Sequence, residues 1–311
     1  MSNTRWSASF GSSRECPLVD GRHQIQRLTP RIADVGGISV ARAIPTKARR
    51  LIGAWCFLDH AGPATFAVGN PGMRVGPHPH IGLQTFTWML EGEVLHRDSL
   101  GNKQVIRPGQ VNLMTAGRGI SHTEETVPGQ DKLHAAQLWI ALPLADKDTP
   151  PRFDHYPQLP AWSQEAMDFT LLVGDFMGHH APTLCFSPLL GVDIHAPQQA
   201  EVTLPLREDF EYGLFVLEGS LETNGETFAT NELAYLGIHR NSVTFSLPAG
   251  SRVLMVGGEP LDGDIFIWWN FVGHSKEDIA QALHDWNSGS ERFGVVHGYD
   301  GDALVAPALP Q

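Results

Sequence analysis

Gln84-Thr85-Phe86-Thr87-Trp88-Met89-Leu90-Glu91-Gly92-Glu93-Val94-Leu95-His96-Arg97 is a run of β-branched and aromatic residues broken once, at Glu91-Gly92-Glu93. Such residues suit a pleated, half-buried strand, and a glycine between two runs marks a hairpin. Ser99-Leu100-Gly101-Asn102 reads as the next turn, and Val105-Ile106-Arg107-Pro108-Gly109 as a strand ending. The pattern then returns. Tyr212-Gly213-Leu214-Phe215-Val216-Leu217-Glu218-Gly219-Ser220-Leu221 repeats an apolar strand, a Leu-Glu-Gly turn and a second strand. Thr223-Asn224-Gly225-Glu226 follows with the Asn-Gly pair that favours a tight hairpin. A repeat of this kind implies two similar β domains, and the close spacing of short strands implies a sandwich or barrel.

Between the repeats lies a proline-rich stretch, Pro143 to Pro160, with Pro150-Pro151 and Pro157 inside it. It reads as a linker and divides the chain into residues 1–150 and 151–311. One helix is predicted, over about 275–287: Ser275 resembles an N-cap, Glu277 and Asp278 supply first-turn acids, and Ile279, Leu283 and Trp286 recur at helical spacing. Gly289 would stop it, and its expected task is to cover a sheet edge or face. The tail from Asp300 to Gln311 is expected to be loosely ordered.

Working outward from the first repeat, Gly76-Pro77-His78-Pro79-His80-Ile81-Gly82 precedes it. Residues i and i+2 of a strand share a face, so His78 and His80 present two imidazoles to one side. Pro77 and Pro79 suit a strand edge. Downstream, Thr115-Ala116-Gly117-Arg118-Gly119-Ile120-Ser121-His122-Thr123-Glu124 carries a second pair at the same spacing, His122 and Glu124. Two such pairs on neighbouring strands could close on one ion. Nitrogen and oxygen donors without thiolate suit Fe(II), Mn(II), Ni(II) or Cu(II). Four ligands on an octahedral ion would leave two adjacent positions open, and a site of net positive charge would attract an enolate-type oxygen.

Composition narrows the alternatives. The chain of 311 residues has a formal net charge of −12 and its densest basic run, Lys47-Ala48-Arg49-Arg50, is short. Direct nucleic-acid binding is therefore not expected. No run of about 18 apolar residues signals a membrane span, and the N-terminal MSNTRWSASFGSSRECPLVDG lacks a signal-peptide core, so a cytoplasmic protein is expected. Cys16, Cys56 and Cys185 are too few and too scattered for a disulfide framework or a cysteine zinc site. Most of the fifteen histidines are expected to be structural or at the surface. His134 is weighed as a neighbour of the barrel lumen, His96 as a structural group beside Asp98, and Arg118 as either an anion guide or a loop brace.

Pro77-His78-Pro79-His80-Ile81-Gly82-Leu83-Gln84-Thr85 resembles the pirin motif, as do Leu90-Glu91-Gly92-Glu93, His96-Arg97-Asp98-Ser99-Leu100-Gly101-Asn102 and Met114 to Glu124. The resemblance extends to Leu138-Trp139-Ile140-Ala141-Leu142-Pro143 and covers nearly the whole chain. It implies an all-β bicupin: two facing antiparallel β-barrels of jelly-roll type, with a C-terminal helix. It places the metal in the N-terminal barrel, on His78, His80, His122 and Glu124, and leaves the C-terminal barrel without one. Fe(II) is the cofactor the resemblance favours, with Mn, Ni, Cu and Zn left open.

The implied activity is that of a quercetin 2,3-dioxygenase, with a small aromatic substrate and O₂ as partners and Glu124 as ligand or general base. The alternative implied by the same family is a redox-responsive regulator that binds a protein partner, a transcription factor or metabolic enzyme, without turnover. Two barrels in one chain can bury their own edges, so a monomer is a plausible assembly. One departure stands out. Pirins often carry Arg-Gly-Phe-Glu-Thr after the second histidine, where this chain has Ile81-Gly82-Leu83-Gln84-Thr85, and a changed pocket is expected there.

Overall fold

The computed structural model describes residues 14, 16, 18, 19, 22–67 and 69–309. Most of the N-terminal segment read above for a signal peptide lies outside them. The alternating apolar runs form antiparallel sheets. In the first half, a seven-stranded sheet runs in the order Arg152–Tyr156, Val111–Thr115, Leu83–Gly92, Lys132–Ala141, Trp55–Thr65, Ile38–Ile44, Arg31–Val35. It faces a four-stranded sheet of Lys103–Ile106, Val94–Asp98, Ile120–Thr126 and Arg74–His80.

The second half repeats this design, which makes the chain a bicupin. Its seven-stranded sheet is Ala161–Gln164, Met167–Val173, Leu189–Ala196, Ser251–Gly258, Glu211–Glu218, Leu233–Gly237 and Gln26–Leu28. Its four-stranded sheet is Ala200–Pro205, Ser242–Leu247, Ser220–Thr223 and Glu226–Ala229. The two sheets of each half remain separate hydrogen-bonded units rather than one closed ring. Asn224 and Gly225 both adopt positive φ, 54° and 77°, at the hairpin read from their sequence.

Chain segments are exchanged between the halves. Gln26–Leu28, early in the chain, pairs with Leu233–Gly237, and Arg152–Tyr156 pairs back onto Val111–Thr115. The two large sheets share one core. Trp55, Phe57, Leu58 and Trp139 from the first pack with Phe215, Leu217, Leu254 and Val256 from the second. The Trp55 indole N–H donates across this seam, to the carbonyls of Leu190 and Gly257, at 3.1 Å each.

The predicted helix spans Lys276–Asn287, with Ser275 as N-cap and a reciprocal capping box to Asp278. Ile279 and Ala282 are buried, and Leu283 and Trp286 pack beside them against Ile81, Trp268 and Phe271. The tail departs from expectation. It lacks regular structure, yet the Leu304 N–H donates to the Pro77 carbonyl at 2.8 Å, the Trp286 indole N–H donates to Leu304 at 2.7 Å, and Ala306 is buried. The reason is an edge. Arg74–His80 ends its sheet, as its prolines suggested, and leaves carbonyls for other chain segments to satisfy.

Candidate metal centre

The strands Arg74–His80 and Ile120–Thr126 are neighbours, and His122 stands opposite His78 in their ladder. His78, His80 and His122 come together, each offering a ring nitrogen within 4.8 Å of the others. All three are buried. The Nε2 atoms of His80 and His122 are 3.1 Å apart. On the outer side, His78 Nδ1 lies 2.8 Å from the Gly76 carbonyl and His80 Nδ1 lies 2.9 Å from the Asn270 carbonyl. A carbonyl only accepts, so both rings carry their proton on Nδ1 and turn an Nε2 lone pair inward. His122 Nδ1 lies 3.3 Å from His96 Nδ1, and His96 Nε2 lies 2.9 Å from Asp98 Oδ2.

Electrostatics agree with this donor set. Burial, opposed by the Gly76 carbonyl, pulls the His78 imidazole down to about 4. Burial, and then mutual repulsion with neighbouring rings, holds His80 and His122 well below the ordinary histidine value. The three imidazoles are therefore neutral near pH 7, which is the form that ligates metal. Burial pushes Glu124 the other way, up to about 7.

Glu124 lines the same cavity as the histidines but is not part of their tight cluster. The ladder slips between His122 and Glu124, so Glu124 stands opposite Val75. The two-residue spacing alone does not bring its carboxylate into the histidine cluster.

The cavity beside the histidines has a volume of about 460 Å³, within the range of small-molecule sites. One wall is a stack of flat groups. The Arg42 guanidinium lies 4.4 Å over the Phe57 ring, Phe57 stacks on Trp139 at 4.0 Å, and Trp139 meets His80 edge-on at 5.3 Å. Arg42 also pairs with Asp59 through two hydrogen bonds of 2.6 Å. Thr85, Thr87 and Gln137 add polar points.

The far wall comes from the C-terminal segment, through Trp269, Asn270, Leu304 and Val305. That segment can approach because Gly82 has a φ of +65° and no Cβ. A Cβ there would sit 2.1 Å from the Val272 carbonyl oxygen.

Other sequence expectations resolve differently. Ile81 and Gln84 are buried, but neither lines the cavity. Strand alternation turns Thr85 and Thr87 to the cavity, while Gln84 bonds to Thr115 Oγ1 at 2.9 Å. In this chain neither Ile81 nor Gln84 forms part of the cavity wall. His134 is not on that wall either; its Nε2 lies 2.7 Å from His60 Nε2, and His60 Nδ1 lies 2.6 Å from Asn231 Oδ1. Arg118 is exposed, and its backbone carbonyl accepts from Arg292 at 2.7 Å. The three cysteines are free.

The sequence model of pirin matches residues 37–140, and that of the pirin C-terminal cupin domain matches residues 191–294. The chain belongs to the pirin family. It is 56% identical, over its whole length and 98% of the relative's, to a Pseudomonas aeruginosa protein named "Putative quercetin 2,3-dioxygenase". A pirin-like protein of Caulobacter vibrioides is 37% identical over 86% of this chain and 95% of its own. Among solved structures, a quercetin 2,3-dioxygenase from Acinetobacter baumannii superposes with a TM-score of 0.90 at 48% identity, covering 92% of this pirin and 96% of that chain. No helix among the described residues of this pirin is long and apolar enough to cross a membrane.

Proposed function

We propose that this pirin is a mononuclear non-haem iron dioxygenase of flavonol-type substrates, holding Fe(II) with His78, His80, His122 and Glu124. The observation that carries the reading is the convergence of three buried, neutral imidazoles on a cavity walled by stacked aromatic rings. The names of its relatives point the same way. Mn, Ni, Cu and Zn are also compatible with these donors.

When bound, the ion would supply Lewis acidity toward an enolic oxygen and redox capacity toward O₂. The protein's own part is distinct. Glu124, which lines the cavity, would take the proton of the substrate hydroxyl. Phe57 and Trp139 would orient a flat ring, and Trp269, Leu304 and Val305 would exclude water.

The test is to load the protein with Fe(II) anaerobically, add quercetin, admit O₂ and follow both reactants. Coupled loss of quercetin and O₂ is expected. Protein of verified iron content that consumes neither would overturn the substrate assignment and leave the metal centre standing.

A second expectation concerns protons. The histidines are already neutral at pH 7, whereas burial leaves Glu124 partly protonated. Metal uptake at pH 7 should therefore release a fraction of a proton. Release should shrink toward pH 8.5 and rise toward one near pH 5.5. Calorimetry in buffers of different ionisation enthalpy reads this directly. Glu124→Gln should release almost none, and release of one proton or more per ion at pH 7 would contradict the assignment of neutral histidines.

A further inference from the structure

We infer that His96 and Asp98 are positioning residues for the metal centre, a relay that fixes which nitrogen His122 offers to the ion and strengthens it as a donor. The inference rests on the three-histidine site being a metal centre and concerns how that centre is tuned.

A neutral imidazole carries one N–H. Asp98, as a carboxylate, only accepts, and its Oδ2 lies 2.9 Å from His96 Nε2. In its neutral form His96 must therefore place its proton on Nε2, which leaves a lone pair on Nδ1. The group facing that lone pair is His122 Nδ1, at 3.3 Å. His122 must donate there, so its own lone pair lies on Nε2, the atom 3.1 Å from His80 Nε2. Asp98 thus selects the tautomer of His96, and His96 selects that of His122.

The parts have little freedom to do otherwise. The backbone N–H groups of Leu100 and Asn102 donate to Asp98 Oδ1 at 3.0 and 3.1 Å. The Asn102 amide donates to both oxygens, at 3.1 and 3.0 Å. The His96 ring lies flat against Phe153, at 4.2 Å and 15°. Both residues are almost fully buried, 3% and 2% exposed.

The arrangement also separates the three ligands. His78 and His80 are backed by neutral backbone carbonyls. His122 is backed by a side-chain chain that ends in a formal negative charge in a dry environment. Hydrogen bonding to an anion makes an imidazole more basic and fixes its orientation. His122 should accordingly be the strongest nitrogen donor of the three.

The test uses the full chain and Co(II), with affinity read by chelator competition and coordination read from the visible d–d spectrum. The variants are His96→Leu, Asp98→Asn, the double variant and His96→Gln, whose amide oxygen can still accept from His122. His96→Leu should weaken Co(II) binding by about 10- to 100-fold, the range seen when outer partners of metal ligands are lost. Asp98→Asn should weaken it less and shift the d–d bands. The double variant should be no weaker than His96→Leu, because Asp98 acts through His96. His96→Gln should recover part of the loss.

Wild-type affinity and spectrum in both single variants, or additive losses in the double, would overturn the relay. Should His96→Leu fail to fold as the metal-free protein, Asp98→Asn and His96→Gln decide by the same criteria. A wild-type chain that takes up no Co(II) would overturn the metal-centre reading itself, whereas equal binding by all the variants overturns the relay alone.

Discussion

Replacing His80 with alanine is expected to weaken metal binding by about two orders of magnitude and to abolish turnover of any flavonol. Structural zinc sites with four ligands gain roughly 10–16 kcal/mol on binding. One ligand's share is thus about 3 kcal/mol, and every 1.4 kcal/mol is tenfold in Kd. His80 is the most informative ligand to remove because it joins both halves of the chain. Its Nε2 faces His122, its Nδ1 faces the Asn270 carbonyl, and its ring meets the edge of Trp139. The metal-free variant should also lose about 1 kcal/mol of stability, since the partly buried Asn270 carbonyl loses its donor. Iron content after anaerobic loading and thermal melts with and without metal separate the two effects. Addition of metal should raise the wild-type melting temperature and leave that of His80→Ala nearly unmoved. Equal metal-induced shifts in the two proteins would remove His80 from the ligand set.

Trp55→Ala is expected to be the most costly single change to the fold, at about 3–5 kcal/mol for a large buried aromatic side chain. Trp55 is 1% exposed and packs edge-on to Phe86 at 5.5 Å. Its indole N–H also ties the large sheets together through Leu190 and Gly257. Trp55→Phe keeps most of the ring and loses the N–H, so it should cost less, about 1 kcal/mol for the lost hydrogen bonds plus a partial cavity. Urea unfolding followed by fluorescence and circular dichroism measures both. Because the core is continuous across the halves, Trp55→Ala should weaken their coupling, and the two probes should cease to coincide. A variant that unfolds at the wild-type urea concentration would show that the seam contributes little.

Much of this was legible in the residues. Alternation identified the strands, Asn224-Gly225 identified a hairpin, and Ser275 with Asp278 identified the helix start within a residue. These signals are local, because backbone preferences and side-chain direction are set within a few positions. The pairing of His78 with His80 was legible for the same reason. His96 and Asp98 carried a readable signal as well. They show the same two-residue spacing as His78 and His80, on a strand that enters the same sheet. Their value was obscured because nothing in that spacing says which residue lies behind His122.

What the sequence by itself determined is the class of the fold, the repeat and the residue types able to bind a metal. Only the tertiary structure decided that the three imidazoles converge while Glu124 stands apart from their cluster. It alone decided that Ile81 and Gln84 lie off the cavity wall and that Trp269, Asn270, Leu304 and Val305 complete that wall. The physical reason is range. His80 and Asn270 are separated by 190 positions, and a contact of that kind is set by how finished sheets stack and which edge is left open. No periodicity within either segment encodes it.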